Sequence, residues 1–476
     1  MRAFCISLFL LLILNHNLYS QIAYQEITND KVFIGTYGRV GMDWNYENNG
    51  SLGRRLNLDN MGSIGGRLEE QDYFELANAF RFTSPTPDST LIHIQSRLSI
   101  FSKSLSYFAN ANSASPGGLA FAFPELYVLA KGIKGLPLNV WLGSRLYRGG
   151  DIQIADYFYF NDHSGQGFGI EYKNTRLSTI VVSSTDTTST LPPSFFINIQ
   201  SGTPSIALRG RFVYALEHDF QFNARQSVTA LMEFHHLENA NPEEIRQLPD
   251  SLQDVLNYPA DWGWVFGARY HHSHQNLINN SFTNLSIRYG NRIANGGDGG
   301  ISRTYLTFGA PNLDIGKFKG AYAWALIGHS VLQFNDKISF GSYLVYQLSK
   351  GAANTNGIAE TYFGREVFNR KEDFTVGTRA TYYLSDLIHL FGEVHYSQRQ
   401  DGEQDPASMV KFSFAPTLVP TQERQHFARP HLRFVVSFAR YNDQARETLY
   451  SPFLRFAGSQ RWGHYLGVKA EWWFWN

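Results

Sequence analysis

The chain is short of cysteine, of charge and of long apolar runs, and each shortage removes a class of protein. Its 476 residues hold one cysteine, Cys5, which lies inside an N-terminal apolar run. A lipidated cysteine stands at the end of such a run, so a lipoprotein is disfavoured. The rest of the chain has no thiol for a disulfide, a metal or a nucleophile. Only 17% of residues are charged, and 41 Lys and Arg balance 41 Asp and Glu. A phosphate channel or a nucleic-acid surface calls for basic excess, so no nucleic-acid partner is expected. Beyond residue 20 there is no run of about 20 apolar residues, which excludes a helical membrane protein.

Aromatic residues, by contrast, make up 15% of the chain, while mean hydropathy is only −0.27. A membrane β-barrel combines the two. Its lipid face is apolar and its lumen face polar, so they cancel along each strand, and aromatic girdles mark both interfaces. The N-terminus reads as a secretory signal over residues 1–20: Arg2, the apolar run Phe4 to Leu14, then Leu18-Tyr19-Ser20 before Gln21. The run is too short for a membrane anchor. Cleavage removes one charged residue, Arg2, and leaves residues 21–476 as one barrel with 40 basic and 41 acidic residues.

Period-two alternation is the main local signal. His93, Gln95, Arg97 and Ser99 alternate with Ile92, Ile94, Leu98 and Ile100. His389, Glu393 and His395 alternate with Ile388, Leu390 and Val394, and Phe427, Arg429, His431 and Arg433 with Leu432, Phe434, Val436 and Phe438. At the C-terminus Lys469, Glu471, Trp473 and Trp475 alternate with Val468, Ala470, Trp472 and Phe474. A soluble sheet with one wet face gives the same pattern as a barrel with a wet lumen. The signal segment, the aromatics near strand ends and the aromatic last strand favour the barrel. It must be closed, since an edge amide in lipid has no partner. Short turns such as 83–88 and 132–137 alternate with long polar segments such as 109–118, 238–260, 294–303 and 350–372, matching periplasmic turns and external loops.

Three motifs have plainer readings than their chemistry suggests. Gly165-Gln166-Gly167-Phe168-Gly169 precedes strand-like residues rather than the helix a dinucleotide site requires. His272 and His274 can share a strand face but His271 cannot, and no third metal ligand is evident. No Gly-x-Ser-x-Gly elbow is present; a Ser–His–carboxylate triad is not decided by spacing, because its members are distant in sequence. No enzyme activity, cofactor or metal is expected. The informative pairs are aromatic plus charge on one face: Tyr37 with Arg39, Tyr73 with Glu75, Phe427 with Arg429. Pyranose C–H faces stack on such rings while hydroxyls bond to carboxylates and arginines. Interface aromatics beside an ordinary polar wall give the same spacing, so this alternative stays open.

The same residues resemble the maltoporin family. Ile34-Gly35-Thr36-Tyr37-Gly38-Arg39-Val40-Gly41-Met42-Asp43-Trp44 is similar to its first strand. Gly66-Arg67-Leu68 through Asp72-Tyr73-Phe74-Glu75-Leu76 is similar to its second segment. Trp141-Leu142-Gly143-Ser144-Arg145-Leu146-Tyr147, running on through Asp151 and Asp156-Tyr157-Phe158-Tyr159 to Gly169, is similar to its third loop and flanking strands. Ala428-Arg429-Pro430 and Glu471-Trp472-Trp473 match its last two strands. The resemblance implies an all-β, transmembrane antiparallel barrel of eighteen strands in the outer membrane of a Gram-negative cell, with an inward-folded third external loop. It implies a homotrimer, among outer-membrane lipid, that passes maltose and maltodextrin-like oligosaccharides by passive diffusion. Its aromatic slide falls on Tyr37, Tyr73, Phe427 and Trp473, its polar track on Arg39, Arg67, Glu75, Asp151 and Asp156, and its constriction on Arg148 and Phe158. The chain also departs from the family. Two track arginines fall on Gly149 and Pro124, a constriction tyrosine falls on Phe158, and Phe427 replaces a tryptophan. The aromatic contributed by a neighbouring subunit has Tyr107 or Phe108 in its loop. A general diffusion porin without a sugar site is the alternative.

Overall fold

The computed structural model describes residues 25–28, 31–45, 47–83, 90–102, 119–184, 209–239, 246, 259–275, 277–296, 305, 307–361 and 366–473. The proposed signal at 1–20, Tyr107, Phe108 and Phe474 lie outside them.

Among these residues eighteen antiparallel strands form one ring. They are β1 Val32–Trp44, β2 Tyr73–Thr83, β3 Leu91–Ser102, β4 Leu119–Lys131, β5 Leu138–Arg145 and β6 Gly165–Tyr172. Then come β7 Thr175–Ser184, β8 Arg209–Asn223, β9 Gln226–Leu237, β10 Asp261–Ser273, β11 Ile278–Asn291 and β12 Tyr322–Asn335. The last six are β13 Ile338–Lys350, β14 Arg370–Tyr383, β15 Ile388–Asp401, β16 Ala407–Leu418, β17 His431–Tyr441 and β18 Trp462–Trp473. Each strand pairs with the next, and β18 returns to β1 with Tyr37 opposite Trp473 and Arg39 opposite Glu471. The segment Gln25–Thr28 pairs with the start of β1, below the point where β18 ends. Closure leaves no edge amide facing lipid.

Alternation decides which side chain goes where. On β16 Lys411, Ser413 and Thr417 are buried while Phe412, Phe414 and Leu418 are exposed. On β17 His431, Arg433 and Ser437 are buried against Leu432, Phe434 and Phe438. Exposed phenylalanines around a closed wall whose inner face is charged are what lipid solvation requires. The alternation read from Phe427, however, starts later: residues 427–430 lie outside the ladder, with Phe427 in a turn, and the strand begins at His431. Pro430 has no amide proton for the ladder.

Connections at one end are longer than at the other. The long set includes L1 (45–72), L3 (146–164), L6 (292–321), L7 (351–369) and L9 (442–461). The opposite end has tight turns such as 173–174 and 336–337, and one longer segment, 419–430. Gly165–Tyr172 is a strand followed by another strand, which removes the dinucleotide-fold context for its glycines.

Candidate sugar path in the lumen

L1 lies against the inner wall because its glycines permit close approach. Gly66 adopts φ +104°, and a Cβ there would meet His395 Nε2 on β15 at 2.8 Å. The amide of neighbouring Gly65 donates to Tyr343 Oη of β13 at 2.9 Å. Leu56, Leu58, Met61, Ile64 and Leu68 of L1 join Ile152, Ile154, Tyr157, Tyr159 and Phe160 of L3 in one buried apolar cluster, which also includes the wall residues Ile327, Tyr343, Phe391 and Val435. Polar contacts reach the same wall. Tyr159 bonds His329 of β12 at 3.3 Å, Gln347 of β13 donates to Tyr157 Oη, and Arg288 of β11 donates to the Phe160 carbonyl.

L1, L3 and the β18–β1 seam together assemble a dense set of aromatic and charged groups. Tyr37 and Tyr73 have ring centroids 5.8 Å apart, tilted by 53°. The Arg39 guanidinium lies 5.1 Å from the Tyr73 centroid. It also contacts Glu70 at 2.9 Å and Asp156 at 3.5 Å, and donates to the Gln71 carbonyl at 2.8 Å. Arg67 donates to Tyr37 Oη at 2.6 Å and to the Gln153 carbonyl of L3 at 3.2 Å, and it pairs with Glu70 at 3.0 Å and Glu471 at 3.2 Å. Glu471 also faces Arg433 at 2.8 Å, Arg429 at 3.6 Å and His431 at 3.4 Å. Arg39, Arg67, Glu70 and Glu471 are buried but compensated, as buried ions must be, while Asp156 stays exposed at the edge of the set.

Most of the residues singled out in the sequence therefore meet. Tyr37, Tyr73, Arg39 and Arg67 are linked by ring and hydrogen-bond contacts, and Asp156 joins them through Arg39. Glu75 receives the Tyr73 hydroxyl and pairs with Arg97 at 2.7 Å. Trp473 stands two residues beyond Glu471 with the Arg429 guanidinium 4.8 Å from its ring. Arg148 stacks on Phe158 at 3.5 Å. Phe427 lies in the turn before β17, edge-on to His426 at 5.2 Å.

One departure implied by the resemblance acquires a physical reason. At Gly149 a Cβ would lie 1.9 Å from Asn161 Oδ1, so this backbone has no room for an arginine, and Arg148 is the cation beside Phe158 instead. Asn161 is held by two bonds from its Nδ2 to Glu217 of β8, at 2.9 and 3.1 Å. Beside Pro124, Arg97 of β3 reaches Glu125 at 2.6 Å. Residues missed in the sequence are mainly the anionic partners, Glu70, Glu125 and Glu471. Two had a local cue: Glu70 follows Arg67 by three, and Glu471 shares a face with Trp473.

The loop carboxylates differ in charge. Burial raises the Glu70 carboxyl, but Arg39 and then Arg67 outweigh it and hold it down to about 2. Burial, followed by the charge of Asp156, pushes Asp151 up to about 7. Asp156 is raised as well, by burial and then by Glu70. Asp151 Oδ1 is buried without a hydrogen-bond donor among the described residues. The site thus combines aromatic faces, fixed guanidinium donors and carboxylate acceptors, which suits a polyhydroxylated solute.

Residues 32–474 match the LamB porin family. Among solved structures the chain is similar to the outer membrane protein OpdK from Pseudomonas aeruginosa, at 10% identity over 93% of this chain and 98% of that one, with a TM-score of 0.42. It is also similar to OccAB1 from Acinetobacter baumannii, at 10% identity, 96% and 99% coverage and a TM-score of 0.43. A BenF-like porin from Pseudomonas fluorescens Pf-5 shows 10% identity, 94% and 100% coverage and a TM-score of 0.43.

Proposed function

The chain belongs to the LamB porin family and is a multi-pass β-barrel of the outer membrane, and from that premise we propose that it passes maltose or maltodextrin-like oligosaccharides by saturable passive diffusion. The observation that carries this reading is the Tyr37–Tyr73 ring pair, flanked by Arg39, Arg67, Glu70 and Asp156. A pyranose ring lies flat on an aromatic face while its equatorial hydroxyls reach guanidinium donors and carboxylate acceptors at the side. The phenolic hydroxyl of Tyr37, bonded to Arg67 and Glu471, keeps its ring in place for stacking.

In this reading Tyr37, Tyr73, Phe427 and Trp473 form the slide, and Arg39, Arg67, Glu75, Asp151 and Asp156 the polar track. L3 from Arg148 to Tyr159 folds inward and sets the narrowest point, with Arg148 and Phe158 at its rim. The contacts of Tyr157, Tyr159 and Phe160 with β11, β12 and β13 support that placement. The working unit is a homotrimer embedded in outer-membrane lipid, and the transport step needs neither cofactor nor catalysis.

Liposome swelling tests the reading. A sugar-selective pore admits maltotriose faster than a disaccharide of other geometry, whereas a general diffusion porin ranks solutes by size alone.

A further inference from the structure

A cavity with a largely apolar lining, into which a few charged and polar side chains project, lies outside the path just described, between L1 and the short helix Pro452–Ala457 of L9. Its volume is about 600 Å³, within the range of sites that hold a small organic ligand. Its polar lining includes Arg54, Arg55, Asp59, Asn60 and Gln71, with Leu58 buried beneath.

The charges in this lining are not balanced. Asp59, its one acid, is taken by Arg455 of L9. Arg54 is held in place by its own loop. Its Nη1 donates to the Leu52 and Gly53 carbonyls at 2.9 and 2.8 Å, and its guanidinium lies 4.8 Å from the Phe456 ring. Arg55 Nη2 donates to Gln71 Oε1 at 2.8 Å. Glu70, lowered in part by Arg55, is already bonded to Arg39 and Arg67. Two adjacent arginines, each fixed by neutral groups, are therefore left to face a cavity without a carboxylate of their own. Guanidinium forks fixed in this way match a carboxylate better than a neutral hydroxyl.

The cavity is joined to the sugar path through one residue. Gln71 presents its side chain to Arg55 and its carbonyl to Arg39, at 2.8 Å each. We infer that this cavity is an entry subsite for a carboxylate-bearing sugar unit, held by Arg54 and Arg55 one residue ahead of the Arg39 track. The chain therefore admits acidic oligosaccharides, of the uronate type, in preference to neutral ones of equal length. The inference rests on the sugar-path reading for what lies beyond the subsite.

Current block of the full-length protein in planar bilayers tests it, with tri-galacturonate and maltotriose added in turn on the loop side. Tri-galacturonate should block at lower concentration than maltotriose, with an advantage that shrinks as salt screens the arginines. Arg54→Gln and Arg55→Gln should each weaken tri-galacturonate block about tenfold, the loss of a charge-assisted hydrogen bond, and leave maltotriose block unchanged. Asn60→Asp, an exposed position, keeps the test open if an arginine variant fails to assemble; it should weaken the acidic sugar alone. Equal block by both sugars in the parent overturns the inference, as does an equal loss for both sugars in the variants or no loss for either. If maltotriose fails to block the parent while tri-galacturonate does, the neutral-sugar reading falls and the subsite stands.

Discussion

Tyr37 donates its phenolic proton to Glu471 at 3.1 Å across the seam where the last strand closes on the first. One ring of the proposed slide is thus oriented by a residue 434 positions away in sequence, itself two residues from Trp473. The seam that closes the barrel thus also orients a residue of the candidate site.

Replacing that ring tests its role in binding. Tyr37→Ala should weaken oligosaccharide block about fivefold, the value of one stacking face of about 1 kcal/mol, with ion conductance equal or higher. Block titrations before and after the change measure it, and an unchanged half-blocking concentration removes Tyr37 from the slide.

The Asp151 carboxyl should give the pore a pH-dependent ion preference. Its folded value of about 7 lies above the ordinary 3.8, so it is neutral in acid and charged in alkali. Cation preference should rise from pH 5 to pH 9, read as reversal potential in a KCl gradient. Asp151→Asn should shrink that step, with Asp156 retaining part of it. For stability the sign is opposite: a raised acid favours the folded state most below the unfolded value and loses that advantage as pH rises through about 7.

Restoring the family arginine should do harm here. In Gly149→Arg the new Cβ would collide with Asn161 Oδ1 and pull Asn161 from Glu217. A loss of about 1–3 kcal/mol is expected for such overpacking, measured as earlier heat unfolding on a mobility-shift gel. Unchanged unfolding would mean that L3 adjusts freely around position 149.

Removing L3 tests the constriction. A variant lacking residues 150–158 should show higher single-channel conductance and lower cation preference, because it lacks Asp151, Asp156 and the aromatic wall. Parent values for both would place the segment outside the pore and take the two aspartates off the track.

Strand faces were legible in the sequence wherever period two persisted. His93 to Ser99, His389 to His395 and Lys469 to Glu471 all turn inward as their alternation implies. The pattern misled at Phe427 and Arg429, where residue types go on alternating although the backbone has left the ladder; Pro430 was the available cue. Pairings such as Tyr37 with Glu471 or Lys411 with Glu69 join strands or loops hundreds of residues apart, and no local period encodes them. The lack of room at Gly149 also belongs to the fold, since it depends on where Asn161 is anchored.

The decisive measurement of sugar selectivity is planar-bilayer current block by a series of linear maltodextrins. Saturable block is expected, with the half-blocking concentration falling as successive glucose units reach successive rings. Currents that fall only with solute size, without saturation at any chain length, would contradict it.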